Sequence, residues 1–210
     1  MAPRQNRVTP FGELVATPER GRWMGNRGCL HDEGGRIVAF SRRDAWVTCL
    51  LQFKGQQREI MASRRYTELF FLDEATALAA GHRPCATCRR ADYDRFKRQW
   101  LDANRERLPG KHVDNVAMSA IDRYLAVERT GSHGKRTWCS RLGELPDGAM
   151  VVIDGGAWLK RNDALHMWSF AGYTERSTIR PSLVCEVLTP PSVVEVLRSG
   201  YEPDCHVSAS

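Results

Sequence analysis

Residues 70–90 constrain this chain more than any other stretch. Phe70, Phe71 and Leu72 read as the end of a strand, and residues 74–80 as a short Ala-rich helix with Gly81 as its stop. Pro84-Cys85-Ala86-Thr87-Cys88 then reads as a rigid turn presenting two thiols. Two Cys separated by two residues can reach one tetrahedral ion, because a tight turn brings both sulfurs to bonding distance of a common centre. Pro84 fixes its own φ just before the first thiol, so part of the turn is prebuilt. Arg89 and Arg90 follow at once, and their charge favours thiolate over thiol.

A tetrahedral ion asks for more than two ligands, and residues 50–81 offer neither Cys nor His. Cys49, in the apolar run Ala45-Trp46-Val47-Thr48-Cys49-Leu50-Leu51, is one candidate; the plainer reading is a small core hydrophobe. Cys29 and His31 are a second, expected on one face of a short strand ahead of the turn Asp32-Glu33-Gly34-Gly35. Their alternative is a buried thiol beside a surface imidazole. Cys205-His206 is the third; adjacent residues face opposite ways on a strand, so one of the two, His206 among the candidates, would ligate. His82 is expected to pack against the metal turn, and Cys139 and Cys185 to be structural.

The positions Phe71, Glu74-Ala75, Ala77-Leu78-Ala79-Ala80-Gly81, Arg83-Pro84-Cys85 and Cys88 carry more than a bare CxxC. This pattern resembles the metal-binding domain of the Ada-type DNA methylation-repair and response proteins. The resemblance covers residues 66–92. It implies zinc, and it implies that Cys85 and Cys88 are the second pair of a four-thiolate site. Members of that family carry another Cys pair upstream, one of whose thiolates accepts a methyl group from a DNA phosphotriester. The lack of Cys over residues 50–81 means that the acceptor chemistry does not carry over.

The net charge of +6 comes from 26 Arg against only 5 Lys, and the planar guanidinium suits phosphate better than an ammonium does. With the resemblance, this points to nucleic acid as partner, DNA before RNA. Arg83, Arg89, Arg90, Arg95 and Arg98 are expected around the metal turn and the following helix, whose N-terminus can itself meet a phosphate. Arg89 and Arg90 are favoured because no acid immediately offsets them; the alternative for Arg95 and Arg98 is a solvated face balanced by interleaved acids. Arg42-Arg43 and Arg64-Arg65-Tyr66 form a second basic group, with a ring able to stack on a base. The loop of residues 21–28, rich in Gly and Arg, could wrap an anion but matches no phosphate-loop signature. No apolar run reaches the ~18 residues of a membrane helix, and the N-terminal residues, which lack an apolar stretch, argue against a secretory signal. Seven Cys with no regular framework argue for a reducing cytoplasm.

The pattern along the chain predicts an α+β protein. Apolar pieces at residues 37–40, 46–53, 60–61 and 69–72 read as antiparallel strands, with a hairpin-like turn at Lys54-Gly55-Gln56-Gln57. A central helical pair is expected over residues 91–108, burying Tyr93, Phe96, Trp100 and Leu101, and 114–128, burying Met118, Ile121 and Leu125. Residues 149–168 read as a hairpin turning at residues 161–163, residues 183–188 as a strand, and Ser192 as the N-cap of a last helix. The organisation is a metal-binding β/α region over 1–108 and a helix plus β-rich region over 109–210, packed as one unit. Three functions fit: a zinc-stabilised nucleic-acid binder, a metal-dependent enzyme on nucleic acid or nucleotide with His31 as base or ligand and Asp32 and Glu33 as acids, or a metal-free thiol module for regulation or protein interaction. The Pro84 to Cys88 stretch also matches the second half of the zinc-deaminase signature, but its His-x-Glu half is read as missing upstream, which removes the deaminase reading.

Overall fold

The Ala-rich helix has no polar stripe to turn toward water, and the fold hides it on every side. A computed structural model describes residues 2–55, 59–108, 116–131 and 134–210. The first sheet comprises β1 (Gln5–Val8), β2 (Leu14–Ala16), β3 (Trp23–Asn26), β4 (Val47–Cys49), β5 (Leu69–Phe71) and, after helix α1 (Glu74–Ala79), β6 (Arg83–Pro84). Their order is β2-β1-β5-β3-β4-β6. Two joints are parallel, β1 with β5 and β4 with β6; the others are antiparallel. A Cβ on Gly25 would stand 2.3 Å from the Val47 carbonyl oxygen and 2.9 Å from the Phe71 ring, so only glycine lets β3 sit between β4 and β5.

Two expected strands do not form among the described residues. Ile37 makes only an isolated bridge to His31, while Val38 and Phe40 are exposed. Ile60 and Met61 lie in a turn, where the Met61 amide donates to the Glu68 carboxylate at 2.7 Å. At the expected hairpin turn, Lys54 and Gly55 do take positive φ, while Gln56 and Gln57 lie outside the described residues.

Helix α2 (Arg90–Ala103) buries Phe96, Trp100 and Leu101, and a short 3₁₀ turn over Arg105–Arg107 follows it. Helix α3 (Met118–Arg129) buries Met118, Ile121 and Leu125, and runs into the small ribbon of β7 (Thr130–Gly131) and β8 (Gly134–Lys135). The second sheet is antiparallel throughout: β9 (Trp138–Arg141), β10 (Met150–Ile153), β11 (Gly156–Arg161), β12 (Ala164–Ser169), β13 (Gly172–Thr178) and β14 (Val184–Val187), ordered β13-β12-β11-β10-β14-β9. The expected hairpin is thus a four-strand meander. Its first run breaks at Asp154-Gly155 and its second turn falls at Asn162-Asp163, all four with positive φ as tight two-residue hairpins require.

Helix α4 (Pro191–Arg198) is capped by Pro190, not Ser192. Ser192 sits inside the first turn, where its amide and hydroxyl both donate to Glu128 of α3. One core joins α2, α3, α4 and the second sheet; a second packs Leu72, Ala75 and Ala79 against Met150, Leu159 and Tyr173; a third holds the first sheet on Ala77 and Ala80. Every residue of α1 is buried, and its alanines let both sheets approach closely.

The buried ion pair of Arg83 with Asp122 ties β6 to α3 through two bonds of 2.9 and 2.8 Å. Both side chains are nearly inaccessible, at 8% and 6% exposed. Asp122→Ala leaves the guanidinium buried without its partner, and a loss of about 3–5 kcal/mol is expected. Urea unfolding checks this; a midpoint indistinguishable from the parent would rule out a buried, structurally important pair.

Candidate metal centre

The parallel seam of β4 and β6 determines which thiols meet. Val47 pairs with Arg83 and Thr48 with Pro84, so the next residues on the two strands, Cys49 and Cys85, leave the sheet side by side. The Cys85 amide continues the ladder, donating to the Thr48 carbonyl at 3.0 Å. The turn of residues 86–88 then brings Cys88 back. The Sγ atoms of Cys49, Cys85 and Cys88 all lie within 4.8 Å of one another. In a tetrahedral thiolate site with bonds of about 2.3 Å, neighbouring sulfurs stand about 3.8 Å apart. A small closure brings the three onto one ion, so they could hold a metal.

Cys49 is the deepest of the three, with Cys85 and Cys88 half-buried. Its hydrogen bonds to Cys85 and Cys88, reinforced by burial, push its own thiol up. The same contact draws the Cys85 thiol down to about 4, and lowers that of Cys88 with help from the Leu50 amide. The Thr87 amide also points at the Cys85 sulfur, 3.4 Å away. Helix α2 begins two residues after Cys88, and its positive end favours thiolate. Negative charge therefore gathers where a soft cation would bind. The Leu50 and Thr87 contributions were not visible in the sequence, because main-chain amides carry no residue signature.

The other candidate ligands lie elsewhere. Cys29 points its sulfur at the His31 carbonyl, 3.6 Å away. His31 has both ring nitrogens engaged, Nδ1 with the Thr67 hydroxyl at 2.6 Å and Nε2 with the Ala62 carbonyl at 3.3 Å. His206 caps the terminal 3₁₀ turn, accepting from the Ser208 amide, while its own amide donates to Asp73. Cys205 is held near Asp73, and burial followed by that charge pushes its thiol up to about 12. His31-Asp32-Glu33 does spell the His-x-Glu half of a deaminase signature, so geometry must decide. His31 is outside the thiol group, Asp32 pairs with Arg36, and Glu33 pairs with Arg64. The two halves do not meet.

The arginines expected around this turn divide sharply. Arg83 is turned inward onto Asp122. Arg89 is buried as well, 2.7 Å from Glu74 and 2.9 Å from Asp92, with its guanidinium 4.0 Å from the Trp23 ring centroid. Neither can reach a nucleic acid. Acids do offset Arg89 and Arg90: Asp92 lies one turn on from Arg89, Asp94 pairs with Arg90, and folding delivers Glu74 from fifteen residues back. Arg95 pairs with Asp92 and lies over Tyr201. Arg98 is exposed, with no ion pair among the described residues. His82 does not pack on the turn; it is fully buried between Trp46 and Phe71. Cys185 is buried in the second sheet and Cys139 is exposed.

No helix among the described residues is long and apolar enough to cross a membrane. No family model, curated protein or solved structure matches the chain.

Cys49→Ala is expected to lose metal as completely as Cys85→Ala or Cys88→Ala, whereas Cys29→Ala, His31→Ala and His206→Ala keep it. Elemental analysis of reduced protein reads this directly. Retention of metal by Cys49→Ala would dismantle the three-thiol centre.

Proposed function

We propose that this chain is a zinc-thiolate protein that binds nucleic acid, DNA in preference to RNA, without methyl-acceptor chemistry. The observation that carries the reading is the convergence of Cys49, Cys85 and Cys88 on one point. Three soft thiolates in a reducing compartment select zinc among the common divalent ions. An ion there clamps β4, β6 and the start of α2 together, so its first role is structural. The preference for DNA rests on the resemblance of residues 66–92 to the Ada-type domain.

The contact surface is best placed on the second basic group and not on α2. Arg42 packs its Cβ against Gly28, and the Gly28 carbonyl accepts from the Thr67 amide, so the loops holding Arg42-Arg43 and Arg64-Arg65 flank one stretch of backbone. All four arginines are exposed, and among the described residues only Arg64 has an ion-pair partner, Glu33. Such side chains reach phosphates without giving up internal bonds.

A second reading, a metal-dependent enzyme, is favoured by one feature: three protein thiolates leave one position of a tetrahedral ion to a further ligand, as catalytic sites do. Visible absorption of cobalt-substituted protein separates the two. A spectrum that shifts on adding imidazole marks an exchangeable position; an unchanged one marks a closed structural site.

Binding to duplex DNA is expected to weaken with salt. Replacing Arg42, Arg43 and Arg65 by Gln should make the log–log salt slope shallower by about 0.9 for each phosphate that is no longer neutralised. Fluorescence anisotropy across salt concentrations tests this, with Arg98→Gln as a comparison on α2. DNA affinity that is salt-independent, or equal in the triple variant and the parent, would refute the proposed surface.

A further inference from the structure

Beneath the first sheet, three cationic side chains meet, and among the described residues no carboxylate is bonded to any of them. Arg27, just past β3, is completely buried; Arg129, the last residue of α3, is 3% exposed; Lys135, on β8, is half-buried. The guanidiniums of Arg27 and Arg129 both lie against Trp46, 3.8 and 4.0 Å from its ring centroid. Phe40 covers Arg27 from 4.8 Å. The partners these cations do have are main-chain carbonyls: Gly12 for Arg27, Gly81 and Asp44 for Arg129, and Ala79 for Lys135. Of the acids whose charge reaches the cluster, Asp122 and Glu128 are committed elsewhere, and the Asp44 carboxylate acts on Arg129 only at a distance. Asp122 holds Arg83, Glu128 holds Arg107 and Ser192, and Asp44 meets Arg129 through its carbonyl while its residue is exposed.

The cluster also has donors to spare. Arg27 Nε donates to Nε2 of His82 at 3.3 Å, which leaves that nitrogen unprotonated and puts the ring hydrogen on Nδ1. Among the described residues, His82 Nδ1, Arg27 Nη2 and Arg129 Nε are all buried and have no hydrogen-bond partner. Each of the three is an N–H group. A buried polar group without a partner calls for a specific explanation, and here what is lacking in each case is an acceptor. Charge points the same way. Burial and then mutual repulsion hold Arg27 well below its ordinary value, while burial lowers Arg129 to about 10 and Lys135 to about 7. Cation–π contacts and carbonyls offset only part of the cost of such a cluster.

We propose that Arg27, His82, Arg129 and Lys135 form a binding site for a phosphate group, entered where Phe40 and Lys135 reach solvent. A phosphate supplies several acceptor oxygens and up to two negative charges, and guanidinium donors match its geometry. A phosphodiester within a strand is flanked by sugar on both sides and cannot sink among buried side chains. The source is therefore either free inorganic phosphate or the terminal phosphate of a nucleic acid. None of these four side chains belongs to the thiol centre or to the surface arginines.

Calorimetric titration of the full chain with sodium phosphate, ionic strength held constant with sodium chloride, tests the site. Saturable binding is expected, with a thermal midpoint that rises with phosphate concentration. Lys135→Gln should weaken phosphate about tenfold, the loss of one charge-assisted hydrogen bond. Arg129→Gln should do at least as much, and near-ultraviolet circular dichroism establishes that each variant is folded. If Arg129→Gln fails to fold, Lys135→Gln and the parent's midpoint shift decide alone. Phosphate acting no differently from chloride would overturn the proposal and leave the cluster as a structural clamp on Trp46. So would unchanged phosphate affinity in the folded variants. A 5′-phosphorylated oligonucleotide that displaces inorganic phosphate, where its 5′-hydroxyl form does not, assigns the site to nucleic-acid ends; no displacement by either assigns it to free phosphate.

Discussion

The buried carboxylate of Glu74 holds the molecule together. It accepts from Arg89 at 2.7 Å, from the Tyr201 hydroxyl at 2.8 Å and from the Asp204 amide at 3.0 Å. Those three partners come from the start of α2, the end of α4 and the C-terminal segment. Next to it, Asp73 caps α1 through the Thr76 amide and takes the Tyr173 hydroxyl and the His206 amide on its other oxygen. Two adjacent acids at the entry to one short helix thus join both sheets and the tail. A buried charge is tolerated only when paired and hydrogen-bonded, and here every carboxylate oxygen has at least one donor. Arg89, which stands directly after Cys88, is what connects this knot to the thiol turn.

Much of this was legible locally. Residues 70–90 announced a strand, a buried helix, a glycine stop and a thiol turn, and all of them form. The face of α2 bearing Phe96, Trp100 and Leu101 was clear from helical spacing. What local pattern could not supply was pairing between distant segments. Cys49 ended an apolar run and could equally have been core; only the parallel register of Thr48 with Pro84 makes it a neighbour of Cys85. Val38 and Phe40 looked like strand residues because they are apolar, yet among the described residues no strand lies beside them to receive a ladder. Ser192 had the chemistry of a cap, but Glu128 took its hydroxyl and Pro190 set the helix entry instead.

Arginine content hides three different uses. Arg83 and Arg89 are internal ties to Asp122 and Glu74. Arg27 and Arg129 are buried on an indole with carbonyls for company. Arg42, Arg43 and Arg65 stand exposed on the surface. Composition counts them alike, and spacing to the nearest acid misjudged Arg89, because the decisive acid arrives through folding. The guanidinium suits all three uses: it is delocalised, weakly hydrated and stacks on rings, so burial costs it less than it would an ammonium.

The β4–β6 seam brings the two chemical clusters onto one short piece of structure. Trp46 precedes β4 and His82 precedes β6, and their rings meet at 5.0 Å. Cys49 closes β4 and Cys85 follows β6. Because the strands are parallel, both rings fall at one end of the seam and both thiols at the other. Cys49 lies three residues on from Trp46, about 10 Å at the usual strand rise. The cationic end is built from Arg27, Arg129 and Lys135 around those rings, and the anionic end from Cys85 and Cys88, whose thiols are lowered by hydrogen bonds with Cys49 and main-chain amides. Each end carries the charge opposite to the ligand it would hold, and the same two strands set the geometry of both. A shift in register that spoiled the thiol triangle would also move the indole on which the guanidiniums rest, so the two sites stand or fall on one backbone pairing.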